Sequence, residues 1–264
     1  MLSYYVAGNP QNPMVALVHG VCDSASAWVD LMLRLRERYL VVAFDSLGHG
    51  TSRSLSDGEL ADPTKASARE LAQTLEHLEG IYHKKPVIVA HSMGAAISSV
   101  LSLRRPELVR ALFLEDPAWL SDEQAAGYRE RAGEQVEIRE KLWSGNPVET
   151  LSANIERRPF WDTPSLYGWA FGKALVDSRL LATGIVSFLQ PWREVAAALS
   201  VPTMVVTSDT DEVLIGSDGV AAIEALGNAN IETTVIPGTD HGVRLGAPEA
   251  YQSVLEKWLT RFAG

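Results

Sequence analysis

Cysteine is almost absent from this sequence, and long apolar runs are missing. Cys22 is the single cysteine in 264 residues, so the chain cannot form an intramolecular disulfide or a thiolate zinc site. The first ten residues lack the basic and apolar segments of a signal peptide. No apolar run approaches the roughly 20 residues that span a bilayer. These absences predict a cytoplasmic protein that does not enter a membrane.

Basic residues are also scarce. Lysine and arginine number 23 against 33 aspartates and glutamates, which gives a net charge of −10. This balance argues against non-specific binding to nucleic acid or to an anionic membrane surface. With 46% hydrophobic and 21% charged residues, the composition is that of a globular protein. The length allows one large domain, or a core domain that carries an insertion.

Short apolar runs alternate with helical patterns along most of the chain. Most of these runs are apolar at consecutive residues, as in strands buried on both faces of a parallel sheet. Each leads into polar or glycine-rich residues, where ligands bind in open α/β sheets. The alternation predicts an α/β fold with a mostly parallel, doubly wound sheet. The predicted strands lie within residues 2–7, 14–18, 40–44, 86–90, 111–114, 203–207 and 231–236.

One segment breaks the alternation. Residues 117–192 contain no convincing strand, and they hold five of the 7 tryptophans. We interpret this segment as a helical cap over one end of the sheet, with residues 1–116 and 193–264 forming the core domain. A cap in this position would cover the strand ends, so some of its aromatic side chains should line a substrate pocket. The candidates are Trp119, Trp143, Phe160, Trp161 and Trp169.

The strongest local motif is Ala90-His91-Ser92-Met93-Gly94, between a predicted strand and a predicted helix. A serine on such a sharp turn projects its hydroxyl above the sheet, provided that the residues two before and two after it are small. Ala90 and Gly94 meet that condition. The pattern predicts that Ser92 is a nucleophile.

A serine needs a base, and the base needs an orienting acid. His241 follows the last predicted strand and is favoured as the base over the other five histidines, His19, His49, His77, His83 and His91. Asp209 and Asp211 follow one strand, and Glu115 and Asp116 follow another, so all four are candidate acids. The carboxylates near Asp211 do not have the spacing of a calcium loop, and we expect no metal and no cofactor.

The developing oxyanion needs two preorganised N–H donors. We expect the backbone amide of Met93, directly after the nucleophile, to be one of them. The second should come from Val21, because Gly20 lets the backbone approach closely. Cys22 has no neighbouring base or cation in the sequence and is interpreted as structural.

These motifs together resemble the α/β-hydrolase fold superfamily, in its capped serine hydrolase form. The matching segments are His19-Gly20, the turn at residues 45–52, the motif around Ser92, Asp211 and His241-Gly242. The resemblance implies a sheet of about seven or eight strands in which only the family's second strand is antiparallel, with the cap after the sixth. Residues 2–7 leave room for one strand before Met14, so the family's first strand should be missing.

The same resemblance favours Asp211 as the acid, although some members place it after the sixth strand, at Glu115 or Asp116. A serine nucleophile disfavours haloalkane dehalogenases and epoxide hydrolases, which use aspartate. We therefore predict an esterase-like or lactonase-like enzyme, a monomer or homodimer, acting on a small or medium apolar ester or lactone. Alternatives on the same triad are a carbon–carbon bond hydrolase and a hydroxynitrile-lyase-like enzyme. The non-enzymatic alternative is a ligand receptor of this fold.

Overall fold

Seven strands form one sheet in the computed structural model, which describes the chain except residues 158, 160, 162 and 264, and except the side chains of residues 147, 148, 150 and 163–165. The strand order is β1-β3-β2-β4-β5-β6-β7. β1 runs antiparallel to β3, and all the other pairs are parallel. The strands are β1 Tyr4–Ala7, β2 Met14–Val18, β3 Leu40–Phe44, β4 Val87–His91, β5 Ala111–Glu115, β6 Thr203–Thr207 and β7 Ile231–Val235.

The sheet confirms the predicted fold class. Every residue of β2, β3, β5 and β6 is buried, which explains their uninterrupted apolar sequences. The single antiparallel strand among the described residues is β1. β1 lies at the sheet edge with Tyr5 and Val6 exposed.

Helices cover both faces of the sheet, and β2 shows how the two layers separate. Alternate side chains of a strand point to opposite faces. Met14, Ala16 and Val18 accordingly join one core cluster, whereas Val15 and Leu17 join a second one. The first cluster also contains residues of α2 (Pro63–Tyr82) and α3 (Met93–Arg104). The second also contains residues of α1 (Val29–Leu35) and α12 (Pro248–Phe262).

Twelve α-helices and two 3-10 turns lie in the described chain. The 3-10 turns are Ala25–Trp28 and Pro106–Leu108. The α-helices are α1 Val29–Leu35, α2 Pro63–Tyr82, α3 Met93–Arg104, α4 Asp122–Glu130, α5 Ala132–Ser144, α6 Pro147–Arg157, α7 Thr163–Ala174, α8 Ser178–Thr183, α9 Trp192–Ala198, α10 Gly216–Glu224, α11 Val243–Gly246 and α12 Pro248–Phe262.

The segment between β5 and β6 is helical, and one of its helices packs closely on the core. A Cβ at Gly168 would come within 2.8 Å of the Ala27 backbone, and one at Gly172 within 2.7 Å of the Asp23 backbone. These two glycines of α7 are four residues apart, so they lie on one face of the helix. They let α7 approach the Ala25–Trp28 turn and thereby place Trp169 beside the strand ends. None of the described helices is both long and apolar enough to cross a membrane.

Candidate active site

Ser92 occupies a strained turn between β4 and α3. Its φ of 53° and ψ of −120° lie in a region that residues other than glycine rarely adopt. Its own N–H donates to the Glu115 carbonyl at 3.0 Å, and its carbonyl accepts from the Ala118 N–H at 3.1 Å. A Cβ at Gly94 would lie 2.4 Å from the Val18 carbonyl oxygen. Glycine is therefore required at position 94 for α3 to pack against β2.

His241 lies in the loop after β7, and a buried aspartate holds its ring. The Nδ1 atom of His241 is 2.5 Å from Oδ2 of Asp116, which is 0% exposed. Oδ2 also accepts from the Leu214 N–H at 2.8 Å, while Oδ1 accepts from Thr207 Oγ1 at 2.7 Å and from the Ile215 N–H at 3.1 Å. These donors fix the carboxylate, and the carboxylate fixes the orientation and tautomer of the ring.

The structure brings Asp116, and not the expected Asp211, to His241. Asp116, at the end of β5, contacts His241, whereas Asp211 is an exposed side chain in the loop after β6. β5 lies between β4 and β6, so its end is one strand nearer to Ser92. The loop after β6 turns its Leu214 and Ile215 amides toward Asp116 and leaves the Asp211 side chain outside.

The neighbouring histidines have structural hydrogen bonds. His91 Nε2 lies 3.0 Å from the His241 carbonyl oxygen, with the two rings 4.5 Å apart. Burial lowers the pKa of His91 well below its ordinary value, so the ring is neutral and donates to that carbonyl. His19 accepts from the Ser46 N–H at 3.0 Å and contacts the Gly20 carbonyl at 2.7 Å. Burial lowers the pKa of His19 to about 4, so it too is neutral.

The two expected oxyanion donors flank the serine. Met93 is the first residue of α3, where an N–H has no acceptor within the helix. Val21 lines the same cavity as Ser92. A Cβ at Gly20 would lie 3.1 Å from the Ser92 Cβ, which shows how closely the His19-Gly20 backbone approaches the serine.

Ser92 and His241 line one cavity of about 270 Å³. Trp161 and Trp169 form part of its wall, with their rings edge to face at 6.3 Å between centroids. Phe160, another predicted pocket residue, lies outside the described residues.

Two predicted pocket residues lie elsewhere. Trp119 is 1% exposed, stacks on Trp192 and donates from Nε1 to Ser99 Oγ at 3.1 Å, so it belongs to the core. Trp143 is 59% exposed beneath the guanidinium of Arg139, away from the cavity. Both corrections have one cause: the sequence shows that this segment is aromatic but not which way each ring faces.

The cavity wall is more polar than the sequence predicted. Asp23, Glu115, Glu212, Asp240 and Arg244 also line it. Burial raises the pKa of Glu115 to about 7 and that of Asp23 to about 6. The sequence analysis named Glu115 only as a candidate acid and assigned none of these groups to the pocket wall, although Glu115 directly precedes Asp116 and Arg244 follows His241 by three residues. Among the described residues, no group of three or more histidine, cysteine, aspartate or glutamate side chains could hold a metal ion.

The sequence is similar to those of known hydrolases over most of its length. Residues 15–252 match the Alpha/beta hydrolase family. The (E)-2-((N-methylformamido)methylene)succinate hydrolase of Acinetobacter baylyi is 27% identical over 97% of this chain and 94% of its own length. The 2-(acetamidomethylene)succinate hydrolase of Mesorhizobium japonicum is 24% identical over 90% of this chain and 84% of its own length.

Solved structures show the same fold. The crystal structure of E-2-(acetamidomethylene)succinate hydrolase superimposes with a TM-score of 0.81 at 19% identity, covering 98% of this chain and 95% of the other. The enol-lactonase from Burkholderia xenovorans LB400 gives a TM-score of 0.75 at 16% identity, covering 98% and 96%.

Proposed function

Because this chain belongs to the alpha/beta hydrolase family, we propose that it is a cofactor-independent serine hydrolase that cleaves a small or medium carboxylic ester or lactone. The observation that carries the proposal is the position of His241. Its ring donates a hydrogen bond to buried Asp116, and the same residue lines a cavity together with Ser92, whose backbone is strained. A nucleophile, a base and an orienting acid are the groups that acyl transfer requires. The charged wall of the cavity argues against a wholly apolar substrate.

The proposed reaction proceeds through an acyl-enzyme. Ser92 Oγ attacks the substrate carbonyl while His241 Nε2 takes the serine proton. The Val21 and Met93 amides stabilise the oxyanion, and His241 then protonates the leaving alcohol. Water, activated by His241, hydrolyses the acyl-enzyme and regenerates Ser92. Throughout, Asp116 keeps Nδ1 protonated and stabilises the imidazolium.

A second candidate is hydrolysis of an acylamino-methylene succinate. The two relatives described above are named for such substrates and match nearly the whole chain. The same triad serves this reaction, because attack on an amide-type carbonyl also passes through an acyl-enzyme. Turnover of a 2-(acetamidomethylene)succinate in preference to simple esters would favour this candidate over the first.

The proposal is tested by the pre-steady-state hydrolysis of p-nitrophenyl acetate. We expect a burst of p-nitrophenol equivalent to one acyl group per chain, followed by slower turnover. Ser92→Ala should abolish the burst and lower kcat by at least ~10³-fold. The matched control is Ser98→Ala, since this buried hydroxyl on α3 donates to the Gly94 carbonyl at 2.7 Å. A folded parent without ester turnover, or Ser92→Ala within tenfold of the parent, would contradict the proposal.

A further inference from the structure

Arg244 is a buried cation beside the candidate nucleophile, and the proposed reaction does not use it. It is the second residue of α11 and follows His241 by three positions. Its side chain is 9% exposed and lines the same cavity as Ser92 and His241. A guanidinium keeps its charge at any pH that the protein encounters, so a full positive charge lies in this wall.

Only one of the three nitrogens of this guanidinium has a hydrogen-bond acceptor among the described residues. The guanidinium stacks over the Trp28 ring, 4.4 Å from the centroid, and its Nη2 donates to the Ala27 carbonyl at 3.3 Å. Nε and Nη1 are buried without a hydrogen-bond acceptor among the described residues. Buried polar groups are nearly always paired, and an unpaired charged donor is especially costly. Arg244 lines the cavity, so an anionic ligand bound there would compensate this buried charge.

The nearest carboxylates do not complete the site. Asp23 and Glu115 are close enough for the charge of Arg244 to lower their pKa values, but among the described residues no ion pair joins them to it. Glu115 Oε1 accepts from the Arg244 backbone N–H at 2.7 Å, and Asp23 Oδ1 accepts from the Ser24 N–H at 2.8 Å. Burial outweighs the attraction and raises the pKa of Glu115 to about 7 and that of Asp23 to about 6. Near neutral pH, Glu115 is therefore only partly ionised, whereas Asp23 keeps most of its charge but accepts no hydrogen bond from Nε or Nη1 of Arg244.

The other acidic groups of the wall should repel a bound anion only weakly. Glu212 is an exposed side chain, so water and salt screen its charge. Asp240 already accepts from the Gly242 N–H at 2.9 Å. The buried guanidinium should attract a bound anion more strongly than these carboxylates repel it, because it acts over a shorter distance and in a lower dielectric.

We propose that the Arg244 guanidinium binds a carboxylate of the substrate, so that the preferred substrates are acyl compounds with a free carboxylate near the reacting carbonyl. The inference rests on the proposed function and narrows its substrate class. Carboxylate is the partner that matches a guanidinium in charge and planar geometry. A cavity of about 270 Å³ that also contains Ser92 places the carboxylate only a few atoms from the bond that is cleaved.

Calorimetric titration with succinamate and succinamide tests the assignment without requiring turnover. The two ligands have nearly the same shape and differ by a carboxylate in place of a carboxamide. We expect the parent to bind succinamate at least ~10-fold more tightly than succinamide, the gain typical of a charge-assisted hydrogen bond. Arg244→Gln should bring the ratio of the two Kd values to about 1–2, and Arg244→Lys should retain part of the preference.

The control variant is Arg34→Gln. Arg34 is an exposed arginine on α1 that pairs with Asp30 at 2.9 Å, outside this cavity. Its substitution should leave the Kd ratio as in the parent. The proposal is overturned if the parent binds both ligands equally, or if folded Arg244→Gln or Arg244→Lys keeps the full preference. Hydrolysis of neutral p-nitrophenyl acetate reports on the proposed function separately. Carboxylate binding without ester turnover would contradict the proposed function alone, and ester turnover without a carboxylate preference would contradict the binding inference alone.

Discussion

His241 and Asp116 are 125 residues apart in the chain and 2.5 Å apart in the structure, joined by a hydrogen bond from Nδ1 to Oδ2. The contact places the carboxylate that follows β5 beside His241, and β5 is next to β4, which Ser92 follows. The loop after β6 contributes backbone amides to the carboxylate instead of an acid of its own. Asp116 is therefore buried against His241, whereas Asp211 is exposed, and substitution can test the two residues separately.

Asp116→Asn should lower kcat by up to ~10⁴-fold, because an amide at this position leaves His241 in the wrong tautomer. Asp211→Asn should leave kcat within about twofold, as expected of an exposed side chain without a role in the site. Steady-state ester hydrolysis measures both, with melting temperature as the check on folding. A collapsed rate for Asp211→Asn beside a near-normal Asp116→Asn would move the acid back to the loop after β6.

Gly94→Ala should destabilise the protein and misplace Ser92. The added Cβ would meet the Val18 and His19 carbonyl oxygens at 2.4 Å, and both are backbone atoms of the core. Overpacking of this kind costs about 1–3 kcal/mol. Urea denaturation measures the loss. The matched control is Gly80→Ala in α2, where a Cβ meets nothing within 4 Å and should stabilise the helix by about 0.5–1 kcal/mol. Equal effects of the two substitutions would count against the close approach of α3 to β2.

The tryptophans of the inserted segment should divide into two classes. Trp161→Ala and Trp169→Ala remove part of the cavity wall and should change KM or substrate preference. Trp119→Ala should instead cost about 3–5 kcal/mol of stability, as removal of a buried aromatic ring does. Trp143→Ala should affect neither, because its ring is 59% exposed. Kinetics with a series of ester chain lengths, together with thermal unfolding, separates the classes. Unchanged kinetics in both cavity variants would remove these rings from the substrate site.

The buried side chains of His19 and Glu115 should make opposite contributions to the pH dependence of the free energy of unfolding. Burial lowers the pKa of His19 to about 4, below the value near 6.5 of an unfolded chain. The folded state therefore binds fewer protons between pH 6.5 and 4, and this contribution to stability is lost as the pH falls. Glu115 is the reverse case, since burial raises its pKa to about 7 from a model-peptide value near 4.3. Its contribution is lost as the pH rises between these values.

Single variants isolate each effect. His19→Asn should cost less stability at pH 5 than at pH 7, by about 2 kcal/mol for a shift of this size. Glu115→Gln should show the opposite trend and gain stability relative to the parent as the pH rises from 5 to 7. Urea unfolding at the two pH values measures both. Parallel stability curves for parent and variant would show that the residue concerned does not titrate as its burial implies.

The sequence predicted those features that depend on local context. A strand, a sharp turn and a helix follow one another within residues 86–104, so Ser92 could be identified from neighbours in the chain. The partner of His241 could not be identified in this way, because Asp116 and Asp211 both follow strands. What distinguishes them is the set of donors that Thr207, Leu214 and Ile215 direct at Asp116 once the chain has folded.

Side-chain orientation was likewise beyond the sequence. Trp119 and Trp169 belong to the same aromatic segment, yet one packs in the core and the other lines the cavity. Arg244 gave no local signal, because its guanidinium contacts Trp28 and Ala27, more than 200 residues earlier in the chain. Contacts of this range are set by the packing of the whole domain.

The most direct test of the account is identification of the residue that a fluorophosphonate labels. The reagent phosphonylates a serine only when a neighbouring base activates the hydroxyl. Peptide mass spectrometry of the labelled parent should show one phosphonylated residue, Ser92, and Ser92→Ala should remain unlabelled. Labelling at any other residue, or labelling that persists in Ser92→Ala, would contradict the assignment of Ser92, His241 and Asp116 as the catalytic centre.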